Sequence, residues 1–516
     1  MRRLAGPLRE DDQPVLLGSR PGPMPLIAYF LVRSPERYGL PRLGRPNIFL
    51  LLVTAFLALQ FLIPANLVIS GLGAAGRPSV VIALGFSLIW LASWFSTQAI
   101  PVGFQPVRWF VTAYFATSVL AYAVGYTRGL SQAEARGSDR QLIFIIAMCG
   151  LAFAIADGVP DRRTLDAVLR RLTHFSGVMA AVGAIQALFR VNLTNYIRIP
   201  HLQANDALIG IGERGDQALA RVSGTASHYI EFGVVLAMVT PIAVHYALQS
   251  AGRSQQIRRW GLTLLILSGV PFSISRSAVL SLAVALGVLA VAWTWRTRIS
   301  ALIVGVVATA AFRAFRPGVL GTILSLFENA GYDPSVQHRT DDYPIIERYF
   351  FDRPWLGRGL ATFLPRLYIQ VDNEFLVTLV CGGLVALAAF VTLFVGGYFV
   401  GRSIRHHGTD DSTRHLGQAL AASLAAALVA SGTFDAMSFP TFVGVIFLLL
   451  GALGALFRLR RATDLSPTAS HPRSRRVESL PPVLCTTLGI RWQRLLEAVG
   501  QWIRADGVTR RQHDDG

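Results

Sequence analysis

Four short stretches gather side chains that could handle a phosphate and a proton. "RVSGTASHYIEFG" places Arg221 and Gly224 just before an apolar run, with His228 and Glu231 at its start. "SISRSA" sets Arg276 where two apolar runs meet. "ERYFFDRPWLGRG" carries Arg348, Arg353 and Arg358, and Gly359 follows Arg348 after ten intervening residues. "VDNEFLVTLVCGGLVAL" puts Asp372, Asn373 and Glu374 at the head of another run. Arginine offers a permanent charge and a planar fork of donors that suits phosphate oxygens. Several arginines from different loops, near one carboxylate, would suit a lipid-linked diphosphate sugar. The guanidiniums would neutralise the diphosphate as it leaves, where other enzymes use a metal. The carboxylate would take the proton of an acceptor hydroxyl. Asp372 is the candidate base and Glu374 its nearest substitute. Arg221, Arg276, Arg348, Arg353, Arg358, Asn373 and His228 are candidate substrate-binding residues, with Asp341, Asp342 and Glu347 orienting the arginines.

Each feature also has a plainer reading. Arg348 and Asp352 stand four apart and could form a surface pair on one helix. Arg276 could be snorkelling to an interface. Asp372 and Asn373 could simply cap a helix, and Gly382-Gly383 could serve close helix packing. No phosphate-binding glycine loop stands beside a strand, and no His, Cys, Asp or Glu cluster has metal-ligand spacing. Neither a cofactor nor a metal is therefore expected. Cys149, Cys381 and Cys485 lie far apart and suggest no disulfide framework.

The elements that must position these groups are membrane helices. Of the 516 residues, 52% are hydrophobic and only 15% charged, and the mean hydropathy is +0.46, too apolar for an ordinary soluble domain. A crossing helix needs roughly 20 apolar residues, and about twelve runs approach that length. They lie near 48–69, 79–99, 107–126, 141–158, 172–191, 228–248, 260–275, 277–295, 299–312, 374–400, 416–433 and 439–457. The expected fold is all-α and polytopic, with one large outer loop at 313–373 and a likewise long segment at 192–227. Within the former, "PIIERYFFDRPWLGRG" predicts a helix over 340–351 that ends before Pro354, with Gly357 and Gly359 in the following turn.

The 48 basic residues are all arginine. Their alternation between connections follows the positive-inside rule: both termini inside, 313–373 outside the cytoplasm. That bias, together with anionic lipid, also accounts for the net charge of +18 without nucleic acid as a partner. No cleavable signal peptide is apparent. Three regions result: an Arg/Pro/Gly-rich tail at 1–46, a membrane body at 47–460, and a cytoplasmic tail at 461–516. Near 489–505 the last carries a basic amphipathic pattern that suits the inner leaflet.

Taken together, "RVSGT", "SRSA", "RPWLGRG", "DN" and "CGGLVAL", in this order and on one side, resemble the O-antigen ligase and O-antigen polymerase superfamily over roughly 130–455. The resemblance implies about twelve helices and one dominant outer loop. It also implies transfer of a glycan from an undecaprenyl diphosphate carrier to a glycan or lipid acceptor, outside the cytoplasmic (inner) membrane and without a metal. Polymerases of the superfamily show Arg, ten residues and Gly in two outer loops. Arg348 to Gly359 fits, whereas Arg221 to Gly233 is one residue too long. Ligases usually have His-Asn where this chain has Asp372-Asn373, which makes Asp372 the replacement base. Two alternatives stand beside an envelope-polysaccharide glycosyltransferase: a transporter or flippase for lipid-linked saccharide, and an inactive scaffold. A cysteine introduced at Ser335 should react with a membrane-impermeant thiol reagent in intact cells. Labelling only after permeabilisation would overturn the topology.

Overall fold

The structure is a computed structural model describing residues 48–69, 76–95, 104–204, 212–214, 219–315, 318–328 and 343–465. The tail at 1–46, the amphipathic pattern near 489–505, and Asp341 and Asp342 lie outside the described residues. Within them are fourteen α-helices. The first nine are α1 (Ile48–Phe61), α2 (Pro78–Ser93), α3 (Pro106–Arg128), α4 (Gln132–Gly158), α5 (Arg162–Phe189), α6 (Tyr229–Leu248), α7 (Arg253–Phe272), α8 (Arg276–Val291) and α9 (Trp295–Phe315). After them come α10 (Val319–Glu328), α11 (Tyr343–Asp352), α12 (Glu374–His407), α13 (Asp411–Ser431) and α14 (Pro440–Leu465).

Among the described residues each apolar run is carried mainly by a helix, because a chain in lipid must satisfy its backbone within each segment; the end of the 48–69 run is the exception and forms a short strand. Seven helices (α3, α4, α5, α6, α9, α12 and α14) are long and apolar enough to cross a membrane by length and composition. The apolar α1, α2 and α8 are shorter, and α7 and α13 open on polar turns. Helix starts are marked by side-chain caps: Ser131 with Glu134 in a reciprocal box on α4, Asp161 on α5, Ser275 on α8 and Asp410 on α13.

The two long connections are more structured than the sequence suggests. In the 192–227 segment, β2 (Leu202–Ala204) pairs antiparallel with β1 (Leu67–Ile69) from the α1–α2 connection. Further along the same segment, β3 (Gly212–Arg214) pairs antiparallel with β4 (Leu219–Arg221) in a separate two-stranded sheet. In 313–373, α9 runs past Arg313 to Phe315, and α10 and α11 follow. The expected helix appears as α11 and stops two residues before Pro354.

Helices α6 and α14 form the centre, buried along most of their length, with Phe232, Phe442 and Phe447 fully enclosed. Small residues allow a close crossing: a side chain on Gly401 would meet the Gly417 carbonyl, so α12 and α13 touch backbone to backbone there. By contrast, α9 has no buried residue.

The decisive local feature is a break in α12. Gly383 has φ 68° and ψ −169° inside an otherwise helical run, a conformation open essentially only to glycine. The "RPWLGRG" strap fills the gap. Arg358 N–H donates to the Val380 carbonyl (2.9 Å), and Gly359 N–H donates to that of Cys381 (2.9 Å). In return Leu384 N–H donates to the Pro354 carbonyl (2.9 Å) and Val385 N–H to that of Trp355 (3.3 Å). Gly357 and Gly359 both take positive φ. A Cβ on Gly357 would lie 2.5 Å from the Cys381 carbonyl carbon, and one on Gly359 would press on Gly125 of α3. Gly382-Gly383 is therefore not merely a packing notch. Gly383→Ala should destabilise the protein by at least about 1–3 kcal/mol from conformation alone, with further loss because the new methyl overlaps the Trp355 carbonyl. Gly287→Ala, which meets nothing within 4 Å, should be neutral. Thermal unfolding in detergent compares the two.

Candidate functional site

Three helix starts, those of α6, α12 and α14, are tied together by buried carboxylates. Glu231, in the first turn of α6, is fully buried. It accepts hydrogen bonds from the Ser227 amide (2.8 Å) and hydroxyl (2.6 Å). It also accepts from the amides of Thr441 (2.7 Å) and Phe442 (3.2 Å) at the start of α14. The guanidinium of Arg77, also buried, donates to the Thr441 hydroxyl (3.2 Å) and the Gln60 carbonyl (3.4 Å). Glu374 joins α12 to the α13–α14 turn by accepting from the Thr378 hydroxyl and the Met437 amide, both at 2.9 Å. The "RVSGT" segment is pinned from α5: the Gln186 side chain accepts from Gly224 N–H (2.8 Å) and donates to its carbonyl (3.0 Å). Gly224 takes φ 58° there, which a glycine tolerates at no steric cost.

These ties bring four ionisable groups to one end of the bundle. Arg221 ends β4, donates from Nη1 to the Tyr229 hydroxyl (2.7 Å) and lies 4.4 Å over the Tyr229 ring. His228 caps α6, its Nδ1 accepting from Ile230 N–H (3.3 Å), with its ring 4.0 Å from that of Tyr229. Burial holds the His228 imidazole below its usual value; Glu231 opposes this, Arg221 adds to it and Asp372 opposes it again. Asp372, half-buried just before α12, accepts from Gln370 Nε2 (3.3 Å). Asp435 lies in the α13–α14 turn, where burial, with the neighbouring Asp372 carboxylate adding to it, pushes its carboxyl up to about 7. An imidazole, a guanidinium and two carboxyls within one field can hold an anion and move a proton.

The other residues expected at the site are dispersed. Asn373 is the N-cap of α12, its Oδ1 accepting from Phe375 N–H (3.0 Å). Arg276 opens α8, half-buried. Arg348 is exposed on α11 and has no hydrogen bond or ion pair among the described residues. The Arg348–Asp352 pair of the plainer reading is absent among these residues; Asp352 instead stands 4.0 Å from the half-buried Arg353. Arg358 belongs to the strap. Its guanidinium lies 4.6 Å over Tyr349 and 5.2 Å over Tyr368, and donates to the Tyr368 hydroxyl (2.9 Å). That hydroxyl donates to Glu134 (3.0 Å), which pairs with Arg128 (2.7 Å), and Arg128 Nε donates to the Arg358 carbonyl (3.0 Å). Among the described residues no three His, Cys, Asp or Glu side chains are grouped to hold a metal ion.

Residues 261–391 match the family model described as O-antigen ligase (Wzy_C). No curated protein matches the chain. The matched segment runs from α7 to the middle of α12 and so includes Arg276, Arg348, the strap, Asp372 and the break at Gly383.

Asp435 was missed by sequence reasoning. Its signal is a lone acid in "SGTFDAMSFP", between two apolar runs on the arginine-poor side. A carboxyl raised in the folded state favours its protonated form, so its contribution is full in acid and is lost as the pH rises through about 7. Asp435→Asn is neutral throughout. Between about pH 5 and pH 8 it should therefore lose less thermal stability than the parent, by on the order of 2–3 kcal/mol. Equal losses in the two proteins would contradict this.

Proposed function

We propose that this chain, a member of the O-antigen ligase and polymerase superfamily through residues 261–391, is a membrane glycosyltransferase. It moves a glycan from an undecaprenyl diphosphate carrier to a glycan or lipid acceptor on the outer face of the cytoplasmic membrane. The observation that carries the reading is the convergence of Arg221, His228, Asp372 and Asp435 where α6, α12 and the α13–α14 turn meet. On this reading the twelve helices α1–α9 and α12–α14 cross the bilayer, with the arginine-rich ends inside.

In the proposed reaction the acceptor oxygen attacks the anomeric carbon and the bond to the diphosphate oxygen breaks. Asp372 takes the acceptor's proton. Asp435, pushed up to about 7, is the carboxyl that holds a proton beside it. The diphosphate leaves with its charge opposed by Arg221, so that arginine rather than metal does the neutralising; Arg276, Arg348 and Arg353, which lie away from this cluster, would contact more distant parts of the substrate. Arg358, locked between two tyrosines, is better placed to position the strap than to reach substrate. Glu374, with both oxygens engaged and its side chain buried, is a tie rather than a base.

The broken α12 is a feature shared with transporters, whose discontinuous helices open onto a substrate cavity. Here the freed backbone groups bond to the strap, which favours the enzyme. Asp372→Asn should abolish transfer while the protein accumulates and folds normally, and lipid-linked glycan should build up in cells. Arg221→Ala should lose on the order of ten- to a hundred-fold in transfer rate, and Arg221→Lys should not restore it fully. Wild-type transfer in Asp372→Asn, in purified enzyme with carrier-linked donor, would remove the general-base step.

A further inference from the structure

A second set of arginines lies at the other end of the bundle. A cavity of about 500 Å³ opens between α5, α6 and α7. Its buried wall is formed by Thr173, Ala243, Tyr246 and Thr263, and its rim carries Arg170, His174, Gln255, Arg258 and Arg259. Tyr246 stands 18 residues along α6 from His228, roughly 27 Å at 1.5 Å per residue. The cavity is therefore separate from the candidate site.

Three features make it more than a basic surface. It is concave and of ligand size. No residue lining it is acidic, and the nearby Asp166 is already engaged, accepting from the Tyr246 hydroxyl (2.8 Å) and pairing with Arg162 (3.0 Å). Two of the arginines are held by the wall: Arg170 lies 5.7 Å over the Tyr246 ring, and Arg259 donates to the Tyr246 carbonyl (2.9 Å). Three guanidiniums and a histidine thus face one hollow with no counter-charge among its lining residues.

We propose that this cavity binds a phosphate group. Guanidiniums from α5 and α7 supply forked donors, the Thr173 and Thr263 hydroxyls lie on the wall behind them, and the bound anion relieves the repulsion among the three charges. The exposed Ile257 and Leu264, seven apart on α7, offer an apolar stripe on the same helix that suits acyl chains. Basic pockets between membrane helices hold anionic headgroups in this way. A phospholipid headgroup and free phosphate present the same chemistry, and the experiment separates them.

The full-length protein in detergent is mixed with phosphatidylglycerol or with phosphatidylcholine of the same chains, and retained lipid is counted by native mass spectrometry. The variants are Arg170→Gln, Arg258→Gln and the double. Arg258 is exposed and contacts no described partner, so its replacement leaves the fold intact. Arg253→Gln is the control, exposed on the same helix but outside the cavity. The expected result is preferential retention of phosphatidylglycerol, weakened roughly five- to tenfold by each cavity substitution and unchanged by Arg253→Gln. Competition by millimolar inorganic phosphate would support the site with free phosphate as its occupant; resistance would support it with lipid. Equal losses in Arg253→Gln and Arg258→Gln, or no loss in the double variant, would overturn the proposal by reducing the binding to general positive charge.

Discussion

The four backbone hydrogen bonds between the strap and the broken α12 are the constraint on which this end of the body depends. A helix interrupted within a bilayer frees carbonyls and amides that lipid cannot satisfy, each at a cost of several kcal/mol. The strap returns two donors and two acceptors to the gap. The arginine-rich stretch thus serves α12 through its backbone, while its glycines allow the approach. Arg358 clamps this arrangement by stacking on Tyr349 and Tyr368, and Arg128 and Glu134 fasten it to α3 and α4. Asp372 and Asn373 follow from the same chain, so the strap's seating sets where α12 begins.

The helices were legible because lipid imposes one rule on every spanning segment, and an apolar run of that length has few other fates. The break was not. A Gly-Gly pair in an apolar run reads equally as a packing notch, and only the partner chain arriving from twenty-odd residues earlier distinguishes them. The candidate site was legible in part. Arg221, His228 and Asp372 stood out because polar groups at the heads of apolar runs are conspicuous. Asp435 did not, since nothing local distinguishes it from a turn residue. Its meaning comes from Asp372, distant in sequence. The surroundings of Arg358 were hidden for the converse reason: its charge is visible in the sequence, the two tyrosines that hold it are not.

The acids of this end divide by burial. Glu231 and Glu374 are enclosed and surrounded by donors, which is how a buried carboxylate becomes affordable. Asp372 and Asp435 remain partly accessible and face each other's charge. Structural carboxylates hold the helix starts, so Asp372 and Asp435 sit in a frame they need not stabilise themselves. The arginine cavity at the opposite end uses charge differently, gathering like charges where no acid lines the wall.

Glu231 carries one more consequence. The starts of α6 and α14 are positive ends of two helix dipoles, and like ends repel when brought together. One enclosed carboxylate, accepting from both, acts as their common counter-ion. Drawing the two helices apart would strand that charge away from water and expose both ends at once. His228 and the turn bearing Asp435 are therefore fixed in spacing by electrostatics rather than by the loops that carry them.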